Sequence, residues 1–305
     1  MPFVKINSPD EKWKIILAFA SVYIIWGSTY LFILYSIETI PPLIMAGIRF
    51  VVVGGLFYLW ALLKKERFNY ELWRFGLITG FLMFLVGNGA VVLAEQNLPS
   101  GLVSIMAGTV PFWVLVLDKN EGKQRFRNGL TWMGLILGFG GLIILFADKL
   151  DLNQHSKGEL FSYFIMIVGA LGWTTGTLYS KHTTIIASTN AKVSVQTLSS
   201  GLLFILVSFF KGEWASFEPS AVSTVSWLSL GYLIFFGSLI GYYCFLWLLT
   251  KVSAHAVTTH AFVNPLVAVL LGTLFAGERF EANEFLALIF IIGGLVALYF
   301  AKNKR

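Results

Sequence analysis

The sequence predicts an all-α integral membrane protein of ten transmembrane helices, arranged as two inverted five-helix repeats. Three observations predict it. Of the 305 residues, 57% are hydrophobic and only 12% charged, about half the charged share of a soluble domain. The apolar residues fall into runs of about 20, the length that crosses a bilayer as a helix. The two halves of the chain also lie over one another at nearly constant offsets.

The runs are 14–35, 42–63, 73–94, 99–117, 129–147, 159–180, 190–210, 225–249, 252–274 and 283–301. The first follows Lys5, Lys12 and Lys14, and Ala18-Phe19-Ala20 has the form of a signal-peptide cleavage site. Too few apolar residues precede that triplet, and the run continues past it, so it is read as a true span. Pro41-Pro42 opens the second run, Pro99-Ser100 the fourth, and Glu218-Pro219 stands before the eighth. Most connections are short, so neighbouring helices are expected to be antiparallel.

With the N-terminus in the cytoplasm, 17 of the Lys and Arg residues fall on the inner side, and only Lys149, Lys157, Lys211 and Arg279 on the outer. Arg49 lies within a span. This asymmetry places both termini in the cytoplasm of a multi-pass protein, expected in a cell (inner) membrane. It also accounts for the net charge of +6 without nucleic acid as a partner. The expected partners are a small-molecule substrate and the lipid bilayer, with a homodimer allowed. The one cysteine, Cys244, cannot form an internal disulfide, and the four histidines show no metal-ligand spacing. No metal and no cofactor are expected.

At an offset of 147, Trp26 meets Trp173, Gly54 meets Gly201 and Lys64 meets Lys211. At 154, Trp73 meets Trp227, Gly87 meets Gly241, Val103 meets Val257 and Pro111 meets Pro265. Gly140-Gly141 meets Gly293-Gly294 at 153. One insertion around 212–226 explains the step. The repeats are residues 1–147 and 158–301, and five spans in each turn the second over relative to the first. Secondary transporters are commonly built so, with substrate near the midplane between the repeats.

Few residues in such a chain can carry chemistry. Arg49 stands seven residues past Pro42, about 10 Å along its helix. A charge at that depth faces a partner or a water-filled cavity. It is read either as an anion or carbonyl contact in the pathway or as a structural arginine paired with backbone carbonyls or Glu95. Glu95 and Gln96 close the third span, where Glu95 either binds a cation or is an interfacial carboxylate. The repeat sets Gln196 opposite Arg49. Trp26 and Trp173 stand among small residues, Ser28 included, and are expected on opposite walls of one midplane cavity. His260 and Asn264 lie one turn apart on the ninth span and, with Tyr242 and Tyr243, are the polar groups of the second half. Pro111 and Pro265 interrupt corresponding helices and are read as kinks that could serve gating.

These residues resemble the EamA-type branch of the drug/metabolite transporter superfamily over nearly the whole chain. In the first half the likeness rests on Trp26-Gly27-Ser28-Thr29, on Ile40-Pro41-Pro42 leading to Arg49-Phe50, and on Glu95-Gln96-Asn97-Leu98-Pro99-Ser100-Gly101 followed by Thr109-Val110-Pro111. In the second it rests on Trp173 with Gly176-Thr177, on Gln196, on Asn264-Pro265 and on Leu274-Phe275-Ala276-Gly277-Glu278-Arg279-Phe280. The first half departs from the pattern in lacking a Gly-Glu-Arg ending after its fourth span. Its Leu117-Asp118 at that point resembles YedA-like members. The resemblance implies ten helices in two inverted repeats around a central cavity, and efflux of small metabolites, amino acids or drugs.

No ATPase motif, nucleophile elbow or phosphate loop is present. The reading is therefore a secondary transporter and not an enzyme, exporting its cargo by alternating access. An intramembrane lipid-modifying enzyme would need clustered acids or histidines near a membrane face. A facilitative uniporter or exchanger differs from the exporter only in its driving force.

Overall fold

Hydrocarbon offers the backbone no hydrogen-bond partner, so an apolar chain satisfies its N–H and C=O groups internally as helix. The computed structural model describes residues 9–118, 126, 128–147, 156–252, 257 and 260–303, and among these no strand occurs. The loops predicted around 119–125 and 148–155, with Lys119, Lys123, Arg125, Lys149 and the terminal Lys5, Lys304 and Arg305, lie outside the described residues.

Among the described residues the longer helices are α1 (Pro9–Ile37), α2 (Pro42–Leu63), α3 (Tyr70–Ala94), α4 (Ser100–Leu117), α5 (Gly129–Ala147), α6 (Lys157–His182), α7 (Thr189–Phe210), α8 (Thr224–Tyr232, Leu233–Ile240 and Gly241–Lys251), α9 (His260–Phe275) and α10 (Ala282–Asn303). Eight of them are long and apolar enough to cross a membrane, while α9 and the apolar part of α5, Gly129–Leu145, are shorter. The predicted ninth span begins at 252, but only Val252 and Val257 are described before His260.

Several ends follow from local chemistry. Pro42 takes the first position of α2, where its missing N–H costs nothing. The Asn69 side chain accepts from the Leu72 N–H to cap α3, and Ser188 caps α7 by accepting from the Ala191 N–H. Two helices widen into π-helical turns, at Gly80–Asn88 in α3 and Leu233–Ile240 in α8. α4 is broken at Gly108-Thr109. Pro111 therefore lies in the first turn of the segment Val110–Leu117 rather than inside a continuous helix, and it sacrifices no hydrogen bond there. Pro265 does lie inside a helix, α9.

The chain divides into two compact units, one of residues 1–31, 98–164 and 240–305, the other of 32–97 and 165–239. The first holds α4, α5, α9 and α10 with parts of α1, α6 and α8. Its core packs Ile105, Phe112, Leu135, Leu288, Ile291 and Leu295. α5 and α10 run antiparallel and very close: a Cβ on Gly141 would lie 2.8 Å from Ile291 Cγ1 and 2.9 Å from the Ala287 carbonyl, and one on Gly294 would lie 2.7 Å from the Gly134 carbonyl. At the N-terminus of α4, Glu278 accepts from the N–H groups of Ser100 at 2.6 Å and Gly101 at 3.1 Å.

The second unit holds α2, α3 and α7 with parts of α1, α6 and α8. α2 and α7 are antiparallel, with a Cβ on Gly54 falling 2.5 Å from the Leu198 nitrogen and one on Gly201 falling 2.5 Å from the Val51 nitrogen. Only glycine permits such approach, and small residues are the usual means by which membrane helices meet. Glu213, in a short helix after α7, accepts from the N–H groups of Leu43 and Ile44, each at 3.1 Å. It thereby satisfies the open first turn of α2. Glu66, ahead of α3, accepts from the Ser188 hydroxyl at the start of α7.

Candidate functional site

Candidate side chains occur in both units, and each unit is described by its own contacts. In the second unit, the capped start of α2 carries Arg49 inward, with only 6% of its surface exposed. Its Nε donates to Ser238 Oγ at 2.9 Å, and its Cζ stands 5.1 Å from the centre of the Phe50 ring. Glu95, at the C-terminal end of α3, is also buried, and its charge acts on Arg49. The guanidinium is thus held at Nε by Ser238. Its Nη1 is buried with no hydrogen-bond partner. A buried donor without a partner is costly to leave so, which singles this atom out as one poised for an acceptor.

Aromatic rings extend the group. Phe50 stacks on Phe204 at 5.8 Å and meets Phe84 edge-on at 5.0 Å, and Phe84 meets Trp173 edge-on at 5.9 Å. Trp173 lies along Gly87, where a Cβ would approach its ring within 3.2 Å. Two more polar atoms here are buried without a partner, Asn88 Oδ1 and Thr174 Oγ1. Asn88 and Ser238 both belong to the π-helical turns, a feature frequent at functional sites because the wide turn disturbs the regular ladder. Gln196 is buried on α7. Gln96 is exposed in the turn after α3.

The first unit gathers Trp26, Tyr242, His260 and Asn264, with Phe245 added. The Trp26 ring lies 5.0 Å from Phe245, 5.1 Å edge-on from His260 and 6.5 Å from Tyr242. His260 Nδ1 is 2.9 Å from the Val257 carbonyl. In the orientation that satisfies its amide, Asn264 donates to the carbonyls of Tyr23 at 3.3 Å and His260 at 3.1 Å. Ser28 donates to the Ile25 carbonyl at 2.8 Å. Pro265 meets Gly108, at the break in α4, where a Cβ would lie 3.2 Å from its ring. Ser28 Oγ, His260 Nδ1 and the Asn264 amide thus find partners within the unit, and the rings pack on one another.

Sequence reasoning missed Ser238, Asn88 and Thr174. Asn88 carried a signal, as an amide within the apolar run 73–94. Among the described residues no three His, Cys, Asp or Glu side chains come together to hold a metal.

Comparison with known proteins adds to this geometry. The EamA-like transporter family matches residues 12–147 and again 160–300. The chain is 34% identical over 288 residues to the "Uncharacterized inner membrane transporter YedA" of Escherichia coli (strain K12), covering 93% of this chain and 90% of that one. It is 26% identical over 304 residues to the "Uncharacterized transporter YoaV" of Bacillus subtilis (strain 168), covering 96% and 99%. It is 25% identical over 292 residues to the "Probable amino-acid metabolite efflux pump" of Escherichia coli (strain K12), covering 93% and 94%. A solved crystal structure, 16% identical, shares the fold with a TM-score of 0.61 over 95% of this chain and 99% of the other.

Proposed function

Because the chain belongs to the EamA-like transporter family, we propose that it is a secondary transporter exporting small metabolites across the inner membrane by alternating access, and that its cargo carries a carboxylate received by Arg49. The observation that carries the cargo reading is the buried, unpartnered Nη1 of a guanidinium whose Nε is already held by Ser238. A planar guanidinium fixed along one edge offers the other to a carboxylate in a set orientation. The charge of the buried Glu95 acts favourably on Arg49, which lowers the cost of holding the arginine in the membrane. The name of the efflux-pump relative supports amino acids and related compounds as the class to try first.

The mechanism proposed rests on ten spans in two inverted repeats, with both termini in the cytoplasm. Several features support it. The family matches the chain twice. Gly54 faces Thr197 and Leu198, while Gly201 faces Phe50 and Val51; each contact becomes the other on shifting by 147. Gly141 faces Ala287 and Ile291, while Gly294 faces Gly134 and Gly138; these exchange on shifting by 153. Such reciprocity is what a two-fold axis imposes on a self-paired surface. Glu66 at Ser188 and Glu213 at the start of α2 are likewise one contact seen twice. The two π-helical turns also correspond. Within each unit the helix directions agree with strict alternation across the bilayer, and the basic residues supply the absolute sense.

The test is counterflow in proteoliposomes with a panel of amino acids, sugars and organic cations at two pH values. Exchange of carboxylate-bearing compounds supports the reading. Exchange confined to sugars and cations refutes it.

A further inference from the structure

Away from Arg49, the second unit carries a groove beside the seam of α3 and α7. The two helices run in the same direction, since Leu72 packs on Ala191 and Val195, Gly76 lies on Val195, and Gly80 on Gln196 and Ser200. Their N-termini therefore share one end of the unit, where Ser188 bonds Glu66. The groove encloses about 400 Å³ and runs from Tyr70, Trp73 and Arg74 at that end towards Leu202, Leu203 and Leu206. Leu77, Leu202 and Leu206 are each about half or more exposed, at 50%, 59% and 51%. Among the described lining residues Arg74 alone is charged, and it is exposed.

The charge around the mouth is one-sided. Lys64, Lys65 and Arg67 precede α3, Arg74 follows on its second turn, and Lys192 stands in the first turn of α7. Against these five cations the same segments, 64–74 and 188–195, set Glu66 and Glu71, and Glu66 is already bonded by Ser188. Two helix N-termini add their partial positive charge at the same end. The groove thus carries the cation Arg74 in its lining at a cation-rich end of the unit, and its floor is aliphatic apart from Ser199.

We propose that this groove seats one anionic phospholipid of the bilayer, its phosphate on Arg74 and an acyl chain along Leu77, Leu202, Leu203 and Leu206. A soluble anion would answer the arginine and leave the leucines uncovered. A neutral lipid would cover the leucines and ignore the charge. An amphiphile with a negative head matches both, and basic clusters beside membrane helices attract anionic headgroups. Tyr70 and Trp73 suit the headgroup level, where aromatic residues with a polar tip settle.

The experiment is native mass spectrometry of the purified full-length chain titrated with phosphatidylglycerol and phosphatidylcholine of identical acyl chains. Glycerol 3-phosphate serves as the soluble headgroup arm. The native chain should retain phosphatidylglycerol about 5-fold more tightly than phosphatidylcholine, and glycerol 3-phosphate should not displace it at equal concentration. Arg74→Gln, an exposed change that leaves the core alone, should bring the two lipids level. Leu203→Trp, which fills the groove, should weaken both. Equal retention by the native chain, an undiminished preference in Arg74→Gln, or displacement by glycerol 3-phosphate at equal concentration would each overturn the proposal.

Discussion

The Arg49 group of one unit and the Trp26 group of the other use similar materials to opposite ends. Both set an aromatic side chain beside polar ones in an apolar setting. Around Trp26, His260 and Asn264 bond backbone carbonyls of their own unit, and three rings pack about the indole. Around Arg49 the polar inventory does not close: Nη1, Asn88 Oδ1 and Thr174 Oγ1 are buried without partners. Satisfied polar groups in a packed cluster rigidify it, whereas a buried polar atom without a partner carries a desolvation cost that a bound acceptor or donor would relieve. This contrast favours the proposed cargo contact at Arg49, and it makes the aromatic cluster of the first unit the natural comparison for mutation.

That contrast can be broken by mutation. Arg49→Ala should have the largest effect, lowering transport of a carboxylate-bearing cargo about 10–100-fold, as expected for a charge-assisted contact of about 1.5–3 kcal/mol. Lys211→Ala, an exposed cation of the same unit, should leave the rate unchanged; both are read as initial counterflow rates at matched protein levels. His260→Ala should instead act on stability. It removes two edge-on ring contacts, with Trp26 and Phe245, worth about 0.5–1.5 kcal/mol each. A thermal melt should show the loss, with relative rates among substrates unchanged. The tryptophans sharpen the comparison: Trp173→Phe should change the ranking of substrates, while Trp26→Phe should lower the melting temperature and slow every substrate alike. Ser238→Ala frees Arg49 Nε and should weaken carboxylate transport about 2–10-fold, the scale of one ordinary hydrogen bond.

The smallest effect concerns pH. Burial raises the Glu213 carboxyl above its ordinary value, more than the Leu43 and Ile44 N–H groups and Lys211 lower it. The folded chain therefore binds this proton more tightly than the unfolded chain does. Stability from this group is full below the ordinary carboxylate range and is lost as pH rises through the raised value. Glu213→Gln should flatten that slope in melts taken from about pH 4 to pH 7.

Much of this was legible in the chain. The helices were, because hydrocarbon makes length and apolarity nearly sufficient: α2 and α5 begin and end where the apolar runs do. Arg49 stood out because a charge in such a run needs a reason. Ser238 did not, because serines in these helices mostly bond back to carbonyls of their own turn, as Ser194, Ser200 and Ser208 do. That Ser238 serves as an acceptor depends on which helix faces it, and a one-dimensional pattern does not carry that. The break in α4 was likewise hidden. Pro111 read as a kink, while the interruption sits at Gly108-Thr109. The contacts of the candidates within each unit are a consequence of packing, as is the exposure of Gln96 beside the buried Glu95.

The central claim is that Arg49 reads a carboxylate. Its most direct test is counterflow of an amino acid against its carboxamide, equal in size but lacking the anion, by the native chain and by Arg49→Ala in proteoliposomes. The account predicts that the native chain prefers the acid by at least about 10-fold and that Arg49→Ala moves both compounds at the same low rate. Equal transport of acid and amide by the native chain, or a preference that survives in Arg49→Ala, would contradict it.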